Sequence, residues 1–320
     1  MSPPLADAAI FVGGIPRSGT SLMRDILGSH PDVAMFPGEL PLWRVLGAEW
    51  AGGDANRLDV RRRLVQAVLA DPRMSRAGIA LDGAAILASL RAEPTVAIGT
   101  VFVHVMREYA RQLGCSRWGL KDPLTEFCAE EILADLPRAA IVHMIRDPRD
   151  IVVSQRAMWG HRAQHVVSMT DAWRRSAELA RLEAARGNAS WVAVRYEDLV
   201  ADPTAVVSKV CAALGLAFRP QMLELSARPS WWVISGDPAV RDRRDIFGDA
   251  LARHVRSLVP ADACFIQRRA GDEMARWGYA PRPIRLAGRD CARLALSVGQ
   301  EAAWRAIRRL GSGRTRSRWT

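Results

Sequence analysis

The stretch Gly13-Gly14-Ile15-Pro16-Arg17-Ser18-Gly19-Thr20-Ser21 has the residue types and spacing of a phosphate cradle. A glycine-bearing turn from strand into helix aims several backbone N–H groups, and the positive end of the helix, at one point. The spacing Gly14-x-x-x-x-Gly19 matches the loop that holds ATP and GTP, yet Thr20 stands where that loop carries its lysine. Arg17 lies inside the loop instead. A cradle that drops the γ-phosphate lysine suits a nucleotide other than a triphosphate. Two further segments supply cations. Lys121, in Trp118-Gly119-Leu120-Lys121-Asp122-Pro123, can neutralise charge building on an oxygen between a donor and its leaving group; an ion pair with Asp122 or another acid is the bland alternative. Arg146 closes an apolar run, and Ser154 follows about 9 Å along the helix that Pro148 opens. An arginine folded back along the first turn can share a phosphate with that hydroxyl. Asp147 and Pro148 suit a helix N-cap and first position, so Asp147, Arg149 and Asp150 read as a capped helix with surface charge. Tyr196, in Arg195-Tyr196-Glu197-Asp198-Leu199, can stack on a purine.

These groups need a scaffold that brings distant segments to one edge. Strand-like apolar runs recur at 8–13, 32–36, 117–120, 139–145 and 190–195, with helical patterns between most of them. Such alternation predicts an α/β fold, a P-loop-like parallel sheet covered by helices on both faces. Residues 41–114 interrupt it with three helical stretches, about 57–70, 82–91 and 96–113, read as a helical insertion over the sheet's C-terminal edge, where ligands of such sheets bind. Further helices are expected over 171–186 and 203–214. Residues 227–246 read as a long loop of the kind that serves as a lid, and 285–320 as a basic helix and arginine-rich tail after one domain over 1–284. That last helix can pack on the body, dimerise or touch an anionic membrane surface.

Composition narrows the classes. Hydrophobic content of 49% and charged content of 25% are ordinary for a globular chain. No apolar stretch approaches a membrane span, and no leader is expected ahead of the first strand. Five cysteines without paired spacing argue against a disulfide framework or zinc site and for reduced, cytoplasmic thiols. The net charge is +11, and of the 45 basic residues two are lysines and 43 arginines. Against that skew the lysine at 121 stands out. The arginines are not interleaved with a stacking platform, so nucleic acid is not the expected partner.

Taken in order, the segments resemble the sulfotransferases that use 3′-phosphoadenosine 5′-phosphosulfate, on the branch containing tyrosylprotein sulfotransferases and bacterial relatives. Gly13 to Arg24, followed by His30-Pro31-Asp32-Val33 and Gly38-Glu39, is similar to that branch's 5′-phosphosulfate loop and downstream acid. Leu120 to Thr125 resembles its Lys-Asp-Pro segment, Arg146 to Ser154 its 3′-phosphate motif, Tyr196 to Val200 its late strand-to-helix segment, and Trp277-Gly278-Tyr279 its closing Gly-Tyr. The resemblance implies roles. Arg17 holds the sulfuryl oxygens; Ser18, Gly19, Thr20 and Ser21 cradle the 5′ side; Lys121 stabilises the departing oxygen. Arg146 and Ser154 bind the 3′-phosphate, Tyr196 lies near adenine or that phosphate, and Glu39 is the general base, with a structural ion pair to an arginine as its rival reading. It also implies a sulfotransferase without magnesium, acting on a hydroxyl or amine of a small molecule or glycan, with a peptide tyrosine as the alternative. A P-loop kinase is the more distant alternative, and Thr20 argues against it. Trp43, Trp50, Trp231 and Trp232 are candidates to wall an apolar or ring-bearing acceptor. Arg241 and Arg243 are candidates for the 3′-phosphate, and His161 and His165 for acceptor contacts. His30, His104 and His143 read as structural.

Overall fold

Every residue of three of the five strands is buried, because helices cover both sheet faces and leave no polar side to alternate with. The computed structural model describes residues 9–50, 52–76, 78–160, 165–224, 251–292, 295–296 and 298–299. Its strands are β1 (Ile10–Gly14), β2 (Val33–Met35), β3 (Arg117–Lys121), β4 (Ala140–Ile145) and β5 (Trp191–Arg195), all parallel, in the order β2-β3-β1-β4-β5. The α/β reading and the strand positions therefore hold. From central β1 the chain goes out to β2, returns to β3 and then crosses to β4 on the other side. That reversal opens a crevice beyond the C-terminal ends of β1, β3 and β4.

Successive side chains of the strands point to opposite faces. Phe11, Trp118, Leu120 and Ile141 join one core, and Ile10, Val12, Val142 and Met144 another. The second core is closed by α1 (Thr20–Gly28) and α10 (Pro203–Ala213). The first takes the insertion: α2 (Leu58–Leu69), α3 (Pro72–Arg76), α4 (Gly83–Leu90) and α5 (Ile98–Gln112). The insertion thus lies on a sheet face, where an expectation from sequence put it over the edge. The reason is α5, which buries ten residues including Phe102, Val103 and Met106 and needs a broad apolar surface to do so. A π-helical turn, Leu42–Gly47, reaches the end of β3 through Arg44 on Asp122, and α3 and this turn are elements the apolar periodicity did not reveal. Trp43 packs edge-on between Phe11 and Phe102 at centroid distances of 5.2 and 5.3 Å and donates to Asp135 at 2.7 Å. Trp43 and Trp50 are both partly buried and pack against this core.

After β3 come α6 (Ala129–Asp135), α7 (Pro148–Trp159) and α8 (Val166–Ala185); α9 (Tyr196–Ala201) follows β5, and the short α11 (His254–Ser257) precedes α12 (Pro260–Arg276), which completes the third core with α7 and α8. Asp147 caps α7 by accepting from the Arg149 N–H, with Pro148 at the first position. The charges there are not on the surface: Asp147, Arg149 and Asp150 are all buried. Arg149 is held by Asp147, Gln267 and the Ala280 carbonyl. Asp150 accepts from Ala252 N–H and from both the backbone and ring of His254. Burial opposes its ionisation, yet these bonds hold its pKa below the usual carboxylate value. Among the described residues no helix is long and apolar enough to cross a membrane. His161, Trp231, Trp232, Arg241, Arg243 and the tail beyond 300 lie outside the described residues.

Candidate active site

The loop 15–19 leaves the C-terminal end of β1 and turns into α1 through two residues of unusual backbone, Arg17 at φ 79° and Gly19 at φ 99°. Gly19 has no Cβ for a second reason, since one would sit 2.4 Å from the Tyr196 ring. The N-terminus of α1 has no side-chain cap and no acid in its first turn. Its first N–H groups therefore have no partner within the helix and point out of its end, with the positive pole of the helix dipole behind them. Ser18 is fully buried and its Oγ has no hydrogen-bond partner among the described residues. A cradle for an oxyanion is what these donors have in common.

Cations gather at the loop from three directions. The Arg17 Nε donates to Ser154 Oγ on α7 at 3.1 Å, and Arg146 Nη1 donates to the Arg17 carbonyl at 3.0 Å. The Arg146 guanidinium lies 4.3 Å from the centroid of the Tyr196 ring, and its own carbonyl accepts from the Trp173 indole. Tyr196 is 5% exposed, with this guanidinium over its ring and Gly19 against it. The ring thus supports Arg146. Burial raises the Tyr196 pKa, while the charges of Arg146, Arg253 and Arg17 act to lower it. Arg253, next to the Asp150-anchored turn, is a cation the sequence reading missed.

On the other side of the crevice, Lys121 ends β3 at 3% exposure, and its Nζ donates to Glu39 Oε1 at 2.5 Å. Lys121 thus has the ion pair with an acid that its bland reading expected, with Glu39 as that acid and not Asp122. Asp122 takes Arg44 of the π-helical turn in a two-pronged bond at 2.7 and 2.8 Å, and Glu39 meets the lysine, not an arginine. Burial pushes the Lys121 pKa below the ordinary lysine value; Glu39 pulls it back up and Arg24 of α1 pushes it further down. Glu39 is 53% exposed, so the carboxylate paired with Lys121 faces solvent. The arrangement can hold an anion with Arg17, Arg146, Ser154 and the helix end, while an ammonium and a solvent-facing carboxylate wait beside it.

A model of the sulfotransferase family matches residues 9–220, which span all five strands and every residue of the cradle. The chain belongs to the sulfotransferase family. Protein-tyrosine sulfotransferase 2 of Gallus gallus is 25% identical over 282 residues, covering 85% of this chain and 69% of that one. The solved sulfotransferase domain of the Synechococcus PCC 7002 olefin synthase shares the fold, with a TM-score of 0.58 at 22% identity, over 88% of this chain and 99% of that one. This sulfotransferase keeps its site together with a clamp that sequence reasoning did not assign. Glu197 accepts from the Asp147 N–H at the start of α7 and from the Tyr279 hydroxyl at 2.8 Å, and burial raises its pKa. The closing Gly-Tyr thus ties the chain's later part to the helix that carries Ser154. Tyr279→Phe leaves a partly buried carboxylate oxygen without this donor and lowers stability by about 1 kcal/mol, read as a shifted urea midpoint at unchanged slope. Of the histidines, His30, His104 and His143 hold structural bonds, and His165 caps α8 by accepting from Val167 N–H.

Proposed function

We propose that this sulfotransferase takes its sulfuryl group from 3′-phosphoadenosine 5′-phosphosulfate and passes it to a hydroxyl or amine of a small molecule or glycan. The observation that carries the reading is the two-sided crevice: Arg17, Arg146, Ser154 and the uncapped α1 on one side, the Lys121–Glu39 pair on the other. A nucleotide anionic at both its 3′ and 5′ ends fits a site whose cations are spread from β3 to α7. The buried, unpartnered Ser18 hydroxyl is a donor that an oxyanion at the helix end would satisfy. The donor brings an activated sulfuryl group, and in-line displacement needs positioning and charge stabilisation more than covalent help. Arg17 and the first N–H groups of α1 hold the 5′ side. Arg146, braced by Tyr196, and Ser154 hold the 3′ side. Glu39 accepts the acceptor's proton, and Lys121 stabilises the oxygen that departs. The sulfuryl group carries one negative charge, so less neutralisation is needed than for a γ-phosphate, in keeping with Thr20 in place of lysine.

The name of the Gallus gallus relative makes a peptide tyrosine the second reading for the acceptor. All five cysteines are free thiols, which supports a reducing, cytoplasmic setting. Calorimetry tests the donor reading: adenosine 3′,5′-bisphosphate binds at least an order of magnitude more tightly than ATP with magnesium, and turnover with the sulfated donor is unchanged by EDTA. Tighter binding of ATP with magnesium would replace this reading with a kinase. A labelled-donor screen of phenols, sugars and tyrosine peptides identifies the acceptor class.

A further inference from the structure

Glu126 lies in the 3₁₀ turn Thr125–Cys128, five residues beyond Lys121, and is 1% exposed. Its Oε2 accepts the Gly14 N–H at 2.8 Å, and its Oε1 accepts the Ser176 hydroxyl at 2.7 Å. Ser176 in turn meets His143 Nε2 at 2.8 Å. The same turn takes the other polar group of Gly14: Leu124 N–H donates to the Gly14 carbonyl at 3.1 Å. Both hydrogen-bonding groups of the residue that opens the phosphate loop are therefore held by the segment that follows Lys121. The position admits only glycine, since at φ 129° a Cβ would lie 2.4 Å from the Met144 carbonyl.

The acid is costly where it stands. Burying a carboxylate costs several kcal/mol, and one set behind an anion-binding loop also repels the ligand. An apolar side chain would fill the space with neither cost. What only a carboxylate supplies is two acceptors at once, one for the loop and one for α8. With the carboxylate ionised, Gly14 N–H and Ser176 both donate to it, and His143 donates to Ser176 from Nε2. In that tautomer the Nδ1 of the fully buried His143, which has no partner among the described residues, is a bare acceptor and not a stranded N–H.

We propose that Glu126 is a positioning residue for sulfuryl transfer: it holds Gly14, and through it the 15–19 loop, in register with the end of β3, so that Arg17 and Lys121 address the same group. The proposal rests on the donor reading above. It places the effect of Glu126 on the 5′ side of the nucleotide and not on the 3′ side, which α7 holds.

Calorimetry with adenosine 3′,5′-bisphosphate and adenosine 3′-monophosphate separates the two sides. In Glu126→Ala, affinity for the bisphosphate falls roughly tenfold, the size of one charge-assisted hydrogen bond, while the 3′-monophosphate stays within about twofold. Glu126→Gln restores bisphosphate binding to within about threefold, because the amide carbonyl can still accept from Gly14 and the amide N–H can donate to Ser176. Ser176 must then donate to His143, so ¹⁵N spectra of selectively labelled histidine show His143 switching from the Nε2–H to the Nδ1–H tautomer. Should Glu126→Ala fail to fold, Ser176→Ala decides instead, with a loss of roughly three- to fivefold confined to the bisphosphate. Equal losses for both nucleotides, or unchanged bisphosphate affinity, overturn the proposal. Wild-type protein that binds neither nucleotide overturns the donor reading itself, a result distinct from selective loss in the variants.

Discussion

Arg17→Ala lowers turnover roughly 10²–10³-fold, the range seen when one preorganised donor to a developing charge is removed. The side chain is placed by the fold at both ends: its Nε lies on Ser154, its carbonyl on Arg146. Its backbone is at φ 79°, a region that costs a residue with a Cβ about 1–2 kcal/mol. Strain at that position is stored where the loop must bend to aim the guanidinium. Two variants therefore separate strain from chemistry. Arg17→Gly relieves the backbone and unfolds at higher urea than Arg17→Ala, while both lose turnover alike. Arg17→Lys keeps the charge, loses the planar fork, and recovers only part of the rate. Steady-state rates with saturating donor, together with urea midpoints, check all three. Turnover of Arg17→Ala within twofold of wild type removes Arg17 from the reaction.

Lys121→Met also costs roughly 10²–10³-fold in turnover, because the variant fills the same space and lacks only the charge. The pH profile adds a signature. An ammonium is needed, and burial sets its pKa below the ordinary lysine value. Activity therefore falls as pH rises through that lowered pKa, and the alkaline limb lies at lower pH than a solvent-exposed lysine would place it. Glu39 opposes the shift, so Glu39→Gln moves the alkaline limb of its residual activity further down, the opposite of what loss of a general base alone does. In Lys121→Met the alkaline limb disappears. Rate–pH profiles of the three proteins test this, and an alkaline limb that persists in Lys121→Met assigns it to another group.

Much of the site was legible because its residues stand at ends of apolar runs. Arg17, Lys121, Arg146 and Tyr196 each follow a strand that a run of buried residues announces, and parallel strands must bring such ends to one edge. Ser154 was legible from helical rise. Partners were not. Lys121 is Asp122's neighbour in sequence yet pairs with Glu39, 82 positions away, because Asp122 points to Arg44 on a turn that no periodicity marks. Asp147, Arg149 and Asp150 look like surface charge in a linear reading, since nothing local reveals that α11 and α12 fold over them. Tyr196 has the chemistry to stack on a base, and only the packed structure shows Arg146 and Gly19 already against its ring.

The chain order of residue types determined the α/β class, the cradle and the cations around it, because strand burial and helix-end electrostatics are local properties that a short run of residues carries. Tertiary structure alone decided which acid meets which base, where the insertion lies, and that Glu126 and Glu197 stand behind the loop and α7. Those are long-range pairings in a low-dielectric interior. Their geometry depends on how three cores pack against one sheet, and no spacing within a segment encodes that.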